Sequence, residues 1–278
     1  MQEYNVSNHQ SKRERNSPPL GEATPRSPEP AAVQISGLSK SFGDKRAVID
    51  LNLDIPHGSM FGLVGPNGAG KTTTLSMMMG LLEPDAGSVT YSSEGMRKQV
   101  RDMKSRLGVM PDGMRLFDRL SGLELLTYAG LLRGLRRTTV RERAVELLGA
   151  LGLADDARLS VADYSAGMTR KVYLACALIH APDVLILDEP LEGIDPVSAH
   201  AITQILTRFT CDGGTVILSS HVMEIVERLC NHVAIMVDGR VLAMGTMADV
   251  TSGRDLESRF LELVGAMPTA ELTWLRPS

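Results

Sequence analysis

The stretch Gly65-Pro66-Asn67-Gly68-Ala69-Gly70-Lys71-Thr72 constrains this chain more than any other. An apolar run, Met60-Phe61-Gly62-Leu63-Val64, precedes it and reads as a short buried strand. Thr73-Thr74-Leu75-Ser76-Met77-Met78-Met79 follows and reads as a helix. Strand, glycine loop and a helix opening on Lys-Thr form the context that a phosphate-binding loop requires. Glycines let successive backbone N–H groups turn inward without Cβ clashes, so they form a nest for anionic oxygens. The positive end of the helix dipole adds to that field. Lys71 can reach the β- and γ-phosphates of a nucleotide, and the Thr72 hydroxyl can hold Mg²⁺.

A second constellation belongs with the first. Val184-Leu185-Ile186-Leu187 is a continuous apolar run, the pattern of a strand covered on both faces, and it ends on Asp188-Glu189. Ligands of open α/β sheets bind at the carboxyl ends of strands. Asp188 is therefore placed to hold Mg²⁺, and Glu189 to orient or deprotonate a water. Asp163-Tyr164-Ser165-Ala166-Gly167-Met168 lies just before a helix. There the Ser165 hydroxyl and the free N–H groups of the first turn would make a second anion site, or a plain helix cap. His221 follows the strand 215–218 and Ser219-Ser220; a lone His is usually structural, and only its company makes this one a candidate.

Between these motifs the chain alternates strands and helices. Strands are predicted over 33–38, 48–55, 88–91, 108–110 and 215–218, and Asp238-Gly239 between 232–237 and 240–244 is a hairpin signal. Helices are predicted over about 121–132, over 140–151 with Val145, Leu147, Leu148 and Leu151 inward, over 168–179, 223–229 and 256–264, and from Asp195-Pro196, a cap followed by a first-turn proline. The fold class is α/β: a P-loop core on a mostly parallel sheet, an antiparallel β portion, and an inserted α-helical subdomain at about 113–165. Residues 1–31 are rich in Ser, Pro, Glu and Arg and read as a disordered tail. Residues 32–265 form the domain and 266–278 a second tail.

Of the 278 residues, 22% are charged and 43% hydrophobic, as in ordinary soluble globular proteins. A net charge of −4 and 4% aromatics argue against a dominant nucleic-acid-binding role. The three cysteines, Cys176, Cys211 and Cys230, lack metal-like spacing and suggest reduced thiols in a cytosolic setting. No apolar run approaches the roughly 20 residues that span a bilayer, so work at a membrane would need another chain for the span.

Taken together, these residues resemble the ATP-binding subunits of ABC transporters. Gly65 to Thr72 matches Walker A, and Val184 to Glu189 matches Walker B with its catalytic glutamate. Tyr164-Ser165-Ala166-Gly167-Met168 resembles the family signature in the Ser-x-Gly-Met form of many bacterial export systems. Gly193-Ile194-Asp195 resembles the D-loop, and Ser220-His221 the histidine switch. Phe42 stands where the family places an adenine-stacking aromatic. The motifs follow in family order from about Val33 to Val264.

The resemblance implies a mechanism. Two cassettes, identical or related, meet head to tail, and each ATP lies between the P-loop of one and the signature of the other. Phe42, with Val48 beside it, stacks on adenine. Gly65, Pro66, Asn67, Gly68, Ala69, Gly70, Lys71, Thr72 and Thr73 bind the phosphates, and Ser165, Gly167 and Asp195 act across the dimer. Thr72 and Asp188 hold Mg²⁺, Glu189 is the general base, and His221 contacts the γ-phosphate and water. A separate transmembrane permease is driven, in the direction of export, from the inner, cytoplasmic face of the membrane. No nucleic-acid partner is implied: the interval from Thr73 to Tyr164 is too short for the coiled coil of DNA-repair relatives, and ribosome-acting relatives carry two cassettes.

Two departures stand out. Where the family usually has Gln, or sometimes Glu, this chain has Asp112, shorter by a methylene and charged. It would repel a γ-phosphate unless Mg²⁺ intervened, and it remains a candidate metal contact. It is also the sole support for another reading, an ATP-gated binding module with little turnover. Ala166 and Met168 replace the commoner Gly and Gln of the signature.

Overall fold

The computed structural model describes residues 31–93, 96–113 and 117–265. The expected tails lie outside these residues, except that Ala31 already opens the first strand. Strand β1 (Ala31–Phe42) turns at Gly43-Asp44 into β2 (Lys45–Pro56). In β2 the alternation is realised: Leu51, Leu53 and Ile55 are buried while Asn52 and Asp54 are exposed. With β4 (Ala86–Ser93) and β5 (Met96–Gln99), these strands form an antiparallel sheet ordered β2-β1-β4-β5.

A six-stranded sheet holds β3 (Met60–Val64), β6 (Leu107–Met110), β7 (Val184–Leu187), β8 (Thr215–Ser220), β9 (His232–Val237) and β10 (Arg240–Thr246). Its order is β10-β9-β3-β8-β7-β6. All pairings are parallel except the β9–β10 hairpin at one edge. The two antiparallel portions are thus the early strands and the late hairpin, as the sequence pattern implies.

The period of two along a strand explains how one sheet serves two cores. Met60 and Val64 of β3, Leu185 and Leu187 of β7, Val216 and Leu218 of β8, and Val233 and Ile235 of β9 face one cluster. Their neighbours Phe61 and Leu63, Val184 and Ile186, Ile217, and Ala234 and Met236 face the other. The first cluster is closed by α3 (Gly122–Leu132), α4 (Arg137–Ala150), α5 (Ala166–Leu178), α6 (Pro196–Cys211) and α7 (Met223–Leu229). The second lies between the two sheets around α1 (Lys71–Met78). Burying each Leu, Ile or Phe contributes about 1.5–3 kcal/mol, so the near-continuous apolar runs hold the sheet from both sides.

Some expectations are corrected. Val145 is 60% exposed, because α4 presents Val140, Ala144 and Leu148 to the core and Val145 lies off that stripe. β1 runs on to Phe42 rather than ending at Leu38, because both β2 and β4 pair with it. β5 and the one-turn α2 (Val100–Met103) lie in a polar stretch with no periodicity to reveal them. Short α8 (Met247–Thr251) and α9 (Leu256–Val264) close the described chain.

Candidate active site

Every chemical candidate on the large sheet emerges at the carboxyl end of a parallel strand. β3 runs into the glycine loop, β7 into Asp188-Glu189, β8 into His221 and β6 into Asp112. Because β8 lies between β3 and β7, its last residues bridge the loop and the acidic pair.

The loop is shaped by backbone proximity. A Cβ on Gly65 would lie 2.0 Å from the Met236 carbonyl oxygen, and one on Gly70 (φ +102°) would lie 2.3 Å from that of Ala47. No side chain fits at either position, so both demand glycine. Gly70 is the N-cap of α1 and its carbonyl accepts from Thr74 N–H at 2.9 Å. The opening turn of α1 therefore aims its free N–H groups at the cavity mouth.

Lys71 is buried, and its Nζ donates to the carbonyls of Gly65 (2.7 Å) and Pro66 (3.2 Å). Burial pulls its pKa below the usual lysine value, and the carboxylates of Glu189, Asp188 and Glu192 push it back up. Its Nζ stands 3.9 Å from Glu189 Oε1, and His221 Nδ1 is 3.2 Å from the same oxygen. Glu189 holds a positive φ of 46°, rare for a residue with a side chain. That turn brings its carboxylate back over the loop. Asp188, 1% exposed, accepts from Ser219 Oγ at 2.5 Å, and Ser219 Oγ in turn accepts from the Glu189 N–H at 2.9 Å. Asp188 N–H donates to the Met110 carbonyl at 2.8 Å. Both acids are thereby fixed from two neighbouring strands.

Lys71, Glu189 and His221 line a cavity of about 380 Å³, whereas Gly65, Ala69 and Asp188 are buried behind its wall and Pro66 does not line it. Phe42, Asn67, Gly68, Gly70, Lys71, Thr72, Thr73, Asp112, Glu189 and His221 all face it. Val48 does not: it is 1% exposed, inside the second core, and Lys45 and Ala47 form the wall near Phe42 instead. Strand alternation explains this, since Ala47 and Val48 point to opposite faces. Phe42 is half-exposed, with the Lys40 ammonium 5.9 Å from its ring centre.

Ser165, Gly167 and Asp195 do not face this cavity. They gather elsewhere: Ser165 caps α5 by accepting from Met168 N–H (3.2 Å), and Asp195 caps α6 by accepting from Ser198 N–H (2.9 Å). A Cβ on Gly167 would come within 2.8 Å of Asp195 Oδ2, so glycine lets the two helix starts meet.

Glu192, Lys45, Ala47 and Ser219 are site residues that sequence reasoning missed. Ser219 had a signal, a polar residue closing an apolar strand, and so did Glu192, three residues beyond Glu189 on the same loop.

A phosphate-cradling loop on β3–α1, a buried lysine and an acid pair ending β7 define a P-loop nucleotide hydrolase. The family model for ABC transporters matches residues 48–192. A linearmycin resistance ATP-binding protein of Bacillus subtilis is 37% identical over 220 residues, covering 79% of this chain and 71% of that one. A Nod factor export ATP-binding protein of Cupriavidus pinatubonensis is 40% identical over 220 residues, covering 79% and 68%. A solved ATP-binding subunit of an ABC transporter superposes with a TM-score of 0.76 at 29% identity, covering 84% of this chain and 100% of that chain. The chain belongs to the ABC transporter family as an ATP-binding subunit, whose hydrolysis of ATP powers transport. Among the described residues no helix is long and apolar enough to cross a membrane.

Proposed function

We propose that this subunit hydrolyses Mg-ATP with Glu189 as general base, in a site that a second cassette completes, and that it drives export through a separate permease from the cytoplasmic face of the membrane. The observation that carries the reading is the placement of the Glu189 carboxylate, 3.9 Å from Lys71 Nζ and 3.2 Å from His221 Nδ1 at the mouth of the loop.

The residues fit a magnesium nucleotide. Glycine at Gly65 and Gly70 lets the loop pack against the Met236 and Ala47 carbonyls, which fixes its path beside the cavity. Lys71 supplies an ammonium, Thr72 a hydroxyl in the cavity, and Asp188 a carboxylate anchored by Ser219. Thr72 and Asp188 would hold the metal, with Asp112 at the same cavity. Magnesium, when bound, neutralises phosphoryl oxygens as charge develops. Asn67 and Thr73 line the cavity beside the loop amides, Ala69 anchors the loop in the second core, and Phe42 offers a half-exposed ring to the base. Lys71, drawn toward the β- and γ-phosphates, exchanges its carbonyl partners for phosphate oxygens. Glu189 Oε takes the proton of the attacking water, and His221 keeps that carboxylate oriented.

Ser165, Gly167 and Asp195 lie together but outside the cavity. That separation supports their acting on the nucleotide of a partner cassette, another copy or a relative. An exposed apolar strip on α3, with Tyr128, Leu131 and Leu132 beside Phe117, supports a docking face for the permease. Export is supported by the relatives, one a resistance protein and one an export protein.

Glu189→Gln tests the reading. Turnover is expected to fall by about 10²–10⁴-fold, the usual worth of a general base. Nucleotide affinity is expected to persist, with an ATP-bound dimer accumulating on size exclusion. Near wild-type hydrolysis by the variant would sink the assignment.

A further inference from the structure

Asp112 faces two spaces at once. It lines the nucleotide cavity with Lys71, Thr72, Thr73 and Glu189, and it lines a neighbouring cavity of about 310 Å³ with Tyr164, Thr169, Arg170 and Tyr173. Across that second space Arg170 Nη2 stands 3.6 Å from Asp112 Oδ1. Arg170 lies in the second turn of α5, the helix that Ser165 caps. Asp112 itself follows Pro111 directly after β6, so its backbone is tied to the sheet that carries the loop.

The charges decide what this contact does. Glu189, Glu192 and Asp188 already bear on Lys71, the cavity's buried cation. A further uncompensated carboxylate facing the same space would repel a triphosphate. An arginine within ion-pair distance offsets that charge and holds the carboxylate toward α5. We infer that Arg170 is a positioning residue for Asp112: it neutralises and turns aside a carboxylate that would otherwise oppose nucleotide binding in the absence of a divalent cation. The inference rests on the Mg-ATP reading above and names a device within it.

The consequence is specific to the metal-free ligand. With Mg²⁺ present, the carboxylate has a cation to face and Arg170 becomes dispensable for affinity. With Mg²⁺ chelated, loss of Arg170 leaves Asp112 against the phosphates. The pair is partly exposed, with side chains 21% and 47% accessible, so the effect is that of a screened contact, about twofold to fivefold.

Titration of ATP into the purified full-length protein, with Mg²⁺ and with EDTA, tests this across wild type, Arg170→Gln, Arg170→Lys, Asp112→Asn and the Arg170→Gln/Asp112→Asn double variant. Arg170→Gln is expected to weaken metal-free ATP binding by about twofold to fivefold while leaving Mg-ATP affinity within error. Arg170→Lys is expected to keep wild-type behaviour, and the double variant, whose pair again carries no net charge, to return to the wild-type level, which a merely structural role for Arg170 on α5 would not produce. An Arg170→Gln loss that is equal with and without Mg²⁺, or that the added Asp112→Asn fails to restore to the wild-type level, overturns the inference and leaves the ATPase reading standing. Failure of wild type to bind ATP under either condition overturns both. Should Arg170→Gln not fold, Asp112→Asn alone decides: metal-free affinity at the wild-type level is expected where the carboxylate is already neutralised, and a gain above about fivefold overturns the claim.

Discussion

His180 follows α5 and its second cap residue, buried beside two arginines, and it shows how one imidazole sets an acid limit on the whole fold. Its Nε2–H donates to the Leu107 carbonyl at 3.0 Å, which leaves Nδ1 as a buried lone pair without a partner among the described residues. Burial, together with Arg133 and Arg143, pushes its pKa down from 6.5 to about 4. The folded protein thus refuses a proton that the unfolded chain accepts. Stability from this group is intact above pH 6.5 and is lost progressively as pH falls toward 4. The loss amounts to about 3 kcal/mol at most, since one pKa unit is worth about 1.4 kcal/mol. His180→Gln keeps a donor for Leu107 and cannot titrate, so urea midpoints at pH 7 and pH 5 should lie closer together in the variant; an unchanged gap would contradict this origin. Nothing in the sequence around Ile179-His180-Ala181 announces this role, because it depends on which strand carbonyl the ring meets. Lys71, Thr72, Asp188 and Glu189 were legible for the opposite reason: their chemistry is encoded in short contiguous spacing. The sequence pattern sets Val48 beside Phe42, but the β-turn and the register of β2 bring Ala47 to the cavity and turn Val48 into the core.

The elements follow the same logic. β3, β7, β8 and β9 were readable because a strand buried on both faces has to be apolar throughout, and α7 and α9 because their apolar positions recur at helical spacing. β5 is not, since Met96, Arg97 and Gln99 are exposed and the segment is held as a strand by pairing with β4. In α4 the stripe is Val140, Ala144, Leu148, at four-residue steps, and Leu147 packs at its edge. Val145, one position beyond Ala144, is turned about 100° away by the helical pitch of 3.6 residues. Two alanine substitutions separate these positions. Leu148→Ala, at a site 1% exposed in the first core, should cost about 2–5 kcal/mol. Val145→Ala, at a site 60% exposed, should stay within about 0.5 kcal/mol of wild type, as surface changes do. Thermal or urea unfolding of the pair reads the contrast directly, and equal losses would mean that α4 sits rotated from the orientation described.

At the scale of the molecule, the Gly65–Thr72 loop with Glu189 and the Ser165–Gly167–Asp195 group are two separate surfaces of one chain. Symmetry then makes a quantitative demand. In a head-to-tail dimer, each nucleotide would use Lys71 of one copy and Ser165 of the other. Lys71→Ala therefore disables the loop side of a chain, and Ser165→Arg disables its signature side, each alone removing both sites of a homodimer. Mixed one to one and allowed to exchange, the two variants form heterodimers in about half of the pairs, and each heterodimer carries one wild-type site, about a quarter of the sites present in wild type. Hydrolysis recovered on mixing toward that fraction, from two preparations that are each inactive, would mark a site shared between chains. A site built within one chain predicts no recovery at any ratio, because no molecule in the mixture would own both Lys71 and Ser165. The same measurement also reports on the partner: recovery requires only copies of this chain, whereas its absence, together with recovery on adding a related cassette, would assign the second half of the site to a different subunit.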